Sequence, residues 1–553
     1  MAIQKAFDSL GNGGTIYFPP GTYHIHHVQK YGEDQVAVNV ENKSNITVLF
    51  DNAATLKHDS TDEKRYTMLR FRKVDGLEIR GGVIEGYRVD TENVLTGHGS
   101  KGIHVYDCDN VYIHDIEVKN IHGDCIGIQG FTQQCHNIIV ENCVLHDCHR
   151  NGLVLGGVSN GVARNCHIYN VRGNMPQAGI DIEAEHGHDN DGIIIDGCHI
   201  HDCAERSIVH SSNSKNITVR RCVLGNSVTI VETCSGVSYE GVSLDGRLYA
   251  RNDIILNQCV LDSIVLYGAK NAKTPSLEAY NSVFKGSQSS TSIAVQDVPS
   301  DGSAKLYFNG CDFTHLENST NALFYSSNGT KNIVLTLEDC TLHLYNCPDY
   351  QYIAANGQTK TAELNTFQYE DSTNARFKEI SLIRCKITIE SNTLSQRILC
   401  FGPLNVQMID CIVDVSKLLS ADDYIKQVVA LDGTKTTTTD KRATVVALYG
   451  NVTANCHGNK FIHSSGTPIC KNVFGATYVT GTAYITNNSA PIWEGISSES
   501  TKGGTVYIQG NAYANSPSYL IEETDPTVPE WAKSPNKPYY TAQEVGAEAS
   551  GTI

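Results

Sequence analysis

A phrase of seven residues recurs along this chain and limits its fold more than any other feature. It reads Asn110-Val-Tyr-Ile-His-Asp-Ile116, then Asn137-Ile-Ile-Val-Glu-Asn-Cys143, Asn160-Gly-Val-Ala-Arg-Asn-Cys166, Gly192-Ile-Ile-Ile-Asp-Gly-Cys198 and Asn216-Ile-Thr-Val-Arg-Arg-Cys222. Its closing residues fall 23–32 positions apart. A period of that size, carrying apolar alternation of period two and no helical pattern, predicts a solenoid whose coils stack into one continuous core. The 553 residues are too many for a single compact core, and an elongated repeat removes that difficulty.

A leucine-rich solenoid would need a Leu lattice that these phrases lack. The prediction is therefore an all-β fold, a right-handed parallel β-helix with long corner loops. Equivalent residues of successive coils then stack about 4.8 Å apart, and each alignment column becomes a ladder. Ile116, Cys143, Cys166, Cys198 and Cys222 form one interior ladder; Ile121, Cys148, Val171 and Cys203 form a second. Cys alternates with Ile and Val in these columns, so it reads as a small apolar filler. The 19 cysteines are odd in number and include no CxxC pair, which predicts reduced, buried thiols and neither a disulfide framework nor a zinc ribbon. Asn opening each phrase suits a tight corner, because it tolerates a left-handed backbone.

After Gly236 the pattern thins but persists in phrases ending at Cys259, Cys311, Cys340, Cys385 and Cys411. The expected organisation is an N-terminal cap over 1–40, a regular β-helix over 41–235, a less regular continuation over 236–515 and a Pro/Ser/Thr-rich tail over 516–553. A net charge of −17 argues against a nucleic-acid surface, which needs clustered Lys and Arg. No run approaches the roughly 18 apolar residues of a membrane span, and no signal-peptide layout opens the chain.

The opening Ala2-Ile-Gln-Lys-Ala-Phe-Asp8 followed by Gly13-Gly-Thr-Ile-Tyr-Phe-Pro-Pro-Gly-Thr-Tyr23 resembles the entry to pectate-lyase-like right-handed β-helix proteins, a group that includes polygalacturonases and phage tailspikes. Asn45-Ile-Thr-Val-Leu-Phe-Asp51 and Gly81-Gly-Val-Ile-Glu-Gly86 are similar to further phrases of that superfamily. Such proteins usually carry an Asp-rich stretch before this entry, so an upstream segment is expected. The stretch Thr524 to Gly546 is similar to a linker of phage tail and baseplate proteins. The resemblance implies a place in a phage virion tail among such proteins, a homotrimer, and a bacterial surface glycan as partner. The polygalacturonase set of motifs is absent; Gly97-His-Gly99 lies before the Asp124 coil, in the wrong order.

Strand alternation then sorts the outward residues. In Lys101–Tyr106, Asp124–Gln129, Asn151–Gly156, Ala178–Glu183 and Arg206–Ser211 the third and fifth residues point in, so the fourth and sixth point out. One outward column reads Arg70, His104, Gly127, Val154, Asp181, Val209. Its neighbour reads Arg72, Tyr106, Gln129, Gly156, Glu183, Ser211, flanked by Lys101, Asp124, Asn151, Ala178 and Arg206. Asp181 and Glu183 share a face, and Gly127, Gly156 and Ala178 beside them predict a trough for a sugar ring. Two carboxyls across a glycosidic bond are the usual means of hydrolysis.

The expected activity is thus endo-hydrolysis of a bacterial surface polysaccharide. Asp181 and Glu183 form the acid/base pair with Asp124 in support, and Arg150, His104, Tyr106, Gln129, Lys101, Arg206 and Arg72 position substrate. If Arg70, Arg72, Lys101, Arg150 and Arg206 bind the uronate or phosphate groups of an acidic glycan, a lyase is the alternative; otherwise they balance the neighbouring acids. A non-catalytic receptor-binding spike is the reading from another class. No cofactor is required; Glu185-His-Gly-His-Asp-Asn-Asp191 matches no strong metal motif and reads as a solvated loop, with a Ca²⁺ or transition-metal site as its alternative. His122, His149 and His201, at coil corners, are expected to be structural.

Overall fold

The computed structural model describes residues 2–26, 29–31, 34–59, 65–88, 99–268, 275–286, 292–297, 302–314, 323–326, 332–345, 351–353, 359–361, 377–391, 397–401, 404–418, 444–463, 472–491, 493, 495–501 and 503–514. The predicted tail 516–553 and most of the Gly97-His-Gly99 motif lie outside them. The protein is a right-handed parallel β-helix, divided into two compact units: Met1–Phe313 with Tyr325–Lys331, and Thr314–Phe324 with Asn332–Ile553.

In the first unit each coil contributes three strands, for example Asp124–Gln129, Cys135–Glu141 and Val144–His146, and each pairs in parallel with its counterpart one coil on. The corners explain why the chain turns where it does. Asn110, Asn137, Asn160 and Asn216 all adopt left-handed φ near 55°, and Gly192 takes the same place at 68°. Asn is the side-chain-bearing residue that tolerates this region best, and it satisfies its amide locally. Asn137 donates to Asn110 Oδ1 at 2.9 Å, so the corner is itself a hydrogen-bonded ladder.

Inside, the two predicted ladders are present. The backbone of each coil bonds the carbonyl of Ile116, Cys143, Cys166, Cys198 or Cys222 in the coil before it, and these five side chains are at most 2% exposed. The sixteen cysteines whose side chains are described are all buried, and none of them forms a disulfide. Burial pushes the Cys203 thiol up to about 12, which keeps it inert. The N-terminal helix Ala2–Ser9 caps the first coil: Phe7 packs edge-on against Phe71 at 6.2 Å, and the Gln4 amide exchanges two 2.8 Å bonds with the Asn39 backbone. The cap thereby pairs groups that an open β-edge would leave bare.

Beyond Gly236, where the sequence pattern thins, the same coils continue through Ser235–Glu240, Ile254–Asn257, Ser276–Tyr280 and Ala304–Asn309. The second unit repeats the design from Ile333–Glu338 to Thr505–Gln509, with Arg397–Phe401, Thr444–Tyr449, Asn472–Val479 and Gly495–Thr501 forming a separate sheet. Its thiol column Cys340, Cys385, Cys411 passes into two buried amides, Asn459 and Asn488, and then half-buried Asn511, each bonding the next at 2.9 Å.

Candidate functional site

The strands Tyr66–Arg72, Lys101–Tyr106, Asp124–Gln129, Asn151–Gly156, Ala178–Glu183 and Arg206–Ser211 stack in parallel and in register. The register aligns Arg70, His104, Gly127, Val154, Asp181 and Val209 in one column and Arg72, Tyr106, Gln129, Gly156, Glu183 and Ser211 in the next. The inward residues from Ile103 to Ile208 are wholly buried. Inward His210 replaces an aliphatic side chain; its Nε2 lies 2.8 Å from the Tyr239 hydroxyl, and burial pushes its pKa to about 3.

Asp124, Asp181 and Glu183 gather around the Arg150 guanidinium on this face, and Glu185 lies beside Glu183. Asp181 points outward yet is only 1% exposed. Burial first, and then the charge of Glu183, raise its pKa to about 7, against the opposing pull of Arg150 and a 3.0 Å hydrogen bond from Ser211 Oγ. Glu183 is half-buried; burial and the neighbouring Glu185 raise it as well. Burial works against the charge of Arg150, but Asp124, Asp181 and Glu183 together hold its pKa above the ordinary value.

The remaining predicted residues fall in different places. Asp124 is fully buried, accepts from Arg150 Nη1 at 3.2 and 3.4 Å and lies 3.6 Å from Lys101 Nζ. It thereby lies against two cations, Arg150 and Lys101, at the margin of the strand face. Lys101 and Arg150 in turn are anchored side chains with little freedom to follow a ligand. The Arg206 guanidinium bonds Thr229 Oγ1 at 2.8 Å and Glu205, and sits 5.3 Å over the Tyr249 ring, toward the later coils.

The predicted trough is largely filled. A Cβ at Gly127 would lie 2.6 Å from Lys101 Cε, and one at Gly156 would lie 3.0 Å from Glu185 Cγ, because those side chains occupy the space the glycines leave. Ala178 is fully buried. Small residues in a column admit long neighbours as readily as ligand, and here the neighbours took the space.

His104 Nε2 lies 2.9 Å from Gln129 Oε1, and the Gln129 amide donates to Glu185. Burial, then Lys101 and Arg70, push the His104 pKa well below its usual value, so the ring is neutral at neutral pH. Tyr106 carries the guanidinium carbons of Arg70 and Arg72 at 5.5 Å from its ring and stacks on Phe131 at 5.4 Å.

Phe131 and Ser211 were not singled out from sequence as site residues, and Glu185 was noted only as part of a possible metal loop. Phe131 is 42% exposed on the turn after Asp124–Gln129. Buried Asp107 holds that turn by accepting from the Phe131, Thr132 and Gln133 amides and the Thr132 hydroxyl, at 2.6–3.3 Å; these bonds outweigh its burial and lower its pKa. An aromatic residue in a Gly-Phe-Thr corner, where the other corners are polar, was the available signal. Glu185 is brought back over Gly156 by paired backbone bonds with His188 at 2.8 and 3.1 Å. The loop Glu185 to Asp191 presents no set of three mutually close metal-ligand atoms among the described residues. A cavity of about 330 Å³ lined by Lys57, Glu85, Arg88, Asp147 and Arg172 shares no residue with this cluster.

Comparison with known proteins agrees with the fold. Residues 86–244 match the family described as "Right handed beta helix region". The SPbeta prophage-derived uncharacterized protein YorA of Bacillus subtilis (strain 168) is 25% identical over 197 residues, 32% of this chain and 33% of that protein. The matched segments span about a third of the length of the curated relatives. Among solved structures, the Agl-KA catalytic domain superposes with a TM-score of 0.41 at 13% identity, over 59% of this chain and 62% of that one. The Pseudomonas phage phi297 tailspike gp61 superposes with a TM-score of 0.34 at 10% identity, over 53% and 48% respectively.

Proposed function

We propose that this protein is a phage or prophage spike that cuts a bacterial surface polysaccharide by endo-glycosidic hydrolysis, with Asp181 and Glu183 as the carboxyl pair. One observation carries the reading: a carboxyl whose pKa is raised to about 7 sits two residues from a more open carboxyl on the same strand face. Environments that hold two neighbouring carboxyls differently are how acid and base roles are assigned on a single fold.

Asp181 keeps its proton near neutral pH and donates it toward the glycosidic oxygen. Ser211, half-buried and bonded to Asp181, marks the side from which substrate approaches. Glu183, the more open partner, receives the proton of the attacking water. Arg150 and Asp124 are positioning residues. The stacked Tyr106 and Phe131 rings form a platform for the apolar face of a sugar, with Arg70, Arg72, His104 and Gln129 along its edge. The prophage-derived relative supports the setting, and a trimeric assembly with other tail proteins belongs to the same proposal.

A second reading is favoured by His104, a neutral imidazole with Lys101 and Arg70 beside it. In a lyase such a base removes the proton next to a uronate carboxylate that the cations hold. Incubation with a panel of purified capsular, teichoic and exopolysaccharides distinguishes the readings. New reducing ends without ultraviolet-absorbing unsaturated product support hydrolysis; new ends with that product support the lyase. Binding without any shortening of the glycan overturns both in favour of a receptor-binding spike.

A further inference from the structure

Away from the carboxyls, the strands His167–Val171 and His199–Cys203 pair in parallel, with His167 opposite His199 and Tyr169 opposite His201. The intervening Ile168 and Ile200 are fully buried, so all three histidines stand on the outer face. Their rings crowd together: His167 and His199 stack at 5.1 Å, His199 and His201 lie 4.6 Å apart, and His167 Nε2 is 2.8 Å from His201 Nε2. One nitrogen from each ring lies within 4.8 Å of the other two. Among the described residues this is the sole such set of three.

We propose that His167, His199 and His201 bind one divalent transition-metal ion, with water in the remaining position. Three neutral imidazoles suit Zn²⁺, Cu²⁺ or Ni²⁺, whereas Ca²⁺ and Mg²⁺ require oxygen ligands. Tetrahedral ligands at 2.0–2.1 Å from zinc lie about 3.3–3.4 Å from one another, so each nitrogen has to shift by at most about 1.5 Å to fit. The donors are prepared for this. Asp202 Oδ2 accepts from His201 Nδ1 at 2.7 Å, which fixes the tautomer that leaves Nε2 with its lone pair.

His199 is exposed and the other two are half-buried, so the fourth position opens to solvent. The ion would fasten the directly paired strands of two successive coils, one preceding and one following in the chain the strand that carries Asp181 and Glu183. This assignment is independent of the glycan reading. It also reverses the expectation that His201 is simply a structural corner residue.

The test is Zn²⁺ titration of the full chain after chelator treatment, together with X-ray absorption of the zinc-loaded protein. The expected result is one ion per chain with three imidazole nitrogens at about 2.0–2.1 Å. Asp202→Asn should weaken binding about 10–100-fold, the usual effect of removing a partner of a ligating histidine, and His167→Gln with His201→Gln should abolish it. His186→Gln with His188→Gln should change nothing, and all variants should melt like wild type in chelator. No stoichiometric zinc, fewer than three imidazoles around it, or affinity that survives the His167/His201 double variant overturns the proposal. Absorption by the wild-type protein decides the matter even where a variant fails to fold.

Discussion

Asp181→Asn should make the protein more stable, by an amount that depends on pH. In the unfolded chain this carboxyl has its ordinary pKa of 3.8; in the folded protein it is raised to about 7. Below pH 3.8 both forms are protonated and Asp181 contributes nothing to the balance. As pH rises from 3.8 to about 7, the unfolded chain releases its proton while the folded one retains it, so wild-type stability falls throughout that window. At about 1.4 kcal/mol per pH unit the loss is about 1.5 kcal/mol at pH 5 and about 4 kcal/mol from pH 7 upward. Asparagine removes the titration and still accepts the bond that Ser211 donates to Asp181 at 3.0 Å. Melting or denaturant curves of both proteins at pH 4, 5.5 and 8 should therefore show a gap in favour of the variant that grows from near zero to about 4 kcal/mol. A gap that does not change with pH, or a wild type more stable at pH 8, would show that Asp181 is an ordinary paired carboxylate and would refute the reasoning. The same substitution should abolish cleavage, the exchange of stability for activity expected of a reactive group.

The other predictions concern its surroundings. Arg150→Met leaves fully buried Asp124 with Lys101 alone and should destabilise the fold by about 3 kcal/mol, read by denaturant melting. Gly179→Ala drives a Cβ to 2.2 Å from Ile200 Cγ2 and 2.8 Å from the Ser207 carbonyl. It should cost about 2–3 kcal/mol, whereas Gly127→Ala, which meets only the flexible Lys101 stem, should cost less than about 1 kcal/mol. Reductant should leave the melting temperature unchanged, since none of the sixteen cysteines with described side chains forms a disulfide; a fall would reveal one. If Asp181 is the acid, the rate of glycan cleavage should decline above about pH 7 as it loses its proton, and a rate that climbs there instead would remove it from that role.

The coil, its register and its corners were legible because each rests on a local rule. Cys replaces Ile in a fixed column, Asn sits where φ is positive, and alternation separates inside from outside. Alternation does not say what covers an outward residue. Asp181 was rightly placed on the outer face, but its burial depends on side chains from neighbouring coils and on Arg150, at the strand margin. Gly127 and Gly156 signalled space without revealing that Lys101 and Glu185 fill it. Arg206 turned away because its partners, Thr229 and Tyr249, come from later coils, across a distance that no local pattern reports. The histidine cluster had a readable sign in His167 and His199 occupying one column of consecutive coils, but its third member, His201, stands in a different column, opposite Tyr169.

The central claim is that this face of the β-helix cuts glycan with Asp181 and Glu183. The direct measurement is the rate of oligosaccharide release from a susceptible polysaccharide by wild type, Asp181→Asn and Glu183→Gln, with binding of the same polysaccharide measured alongside. The account predicts release by wild type and a loss of about 100-fold or more in each variant with binding retained. Release that persists in both variants would contradict it and place the chemistry elsewhere on the molecule.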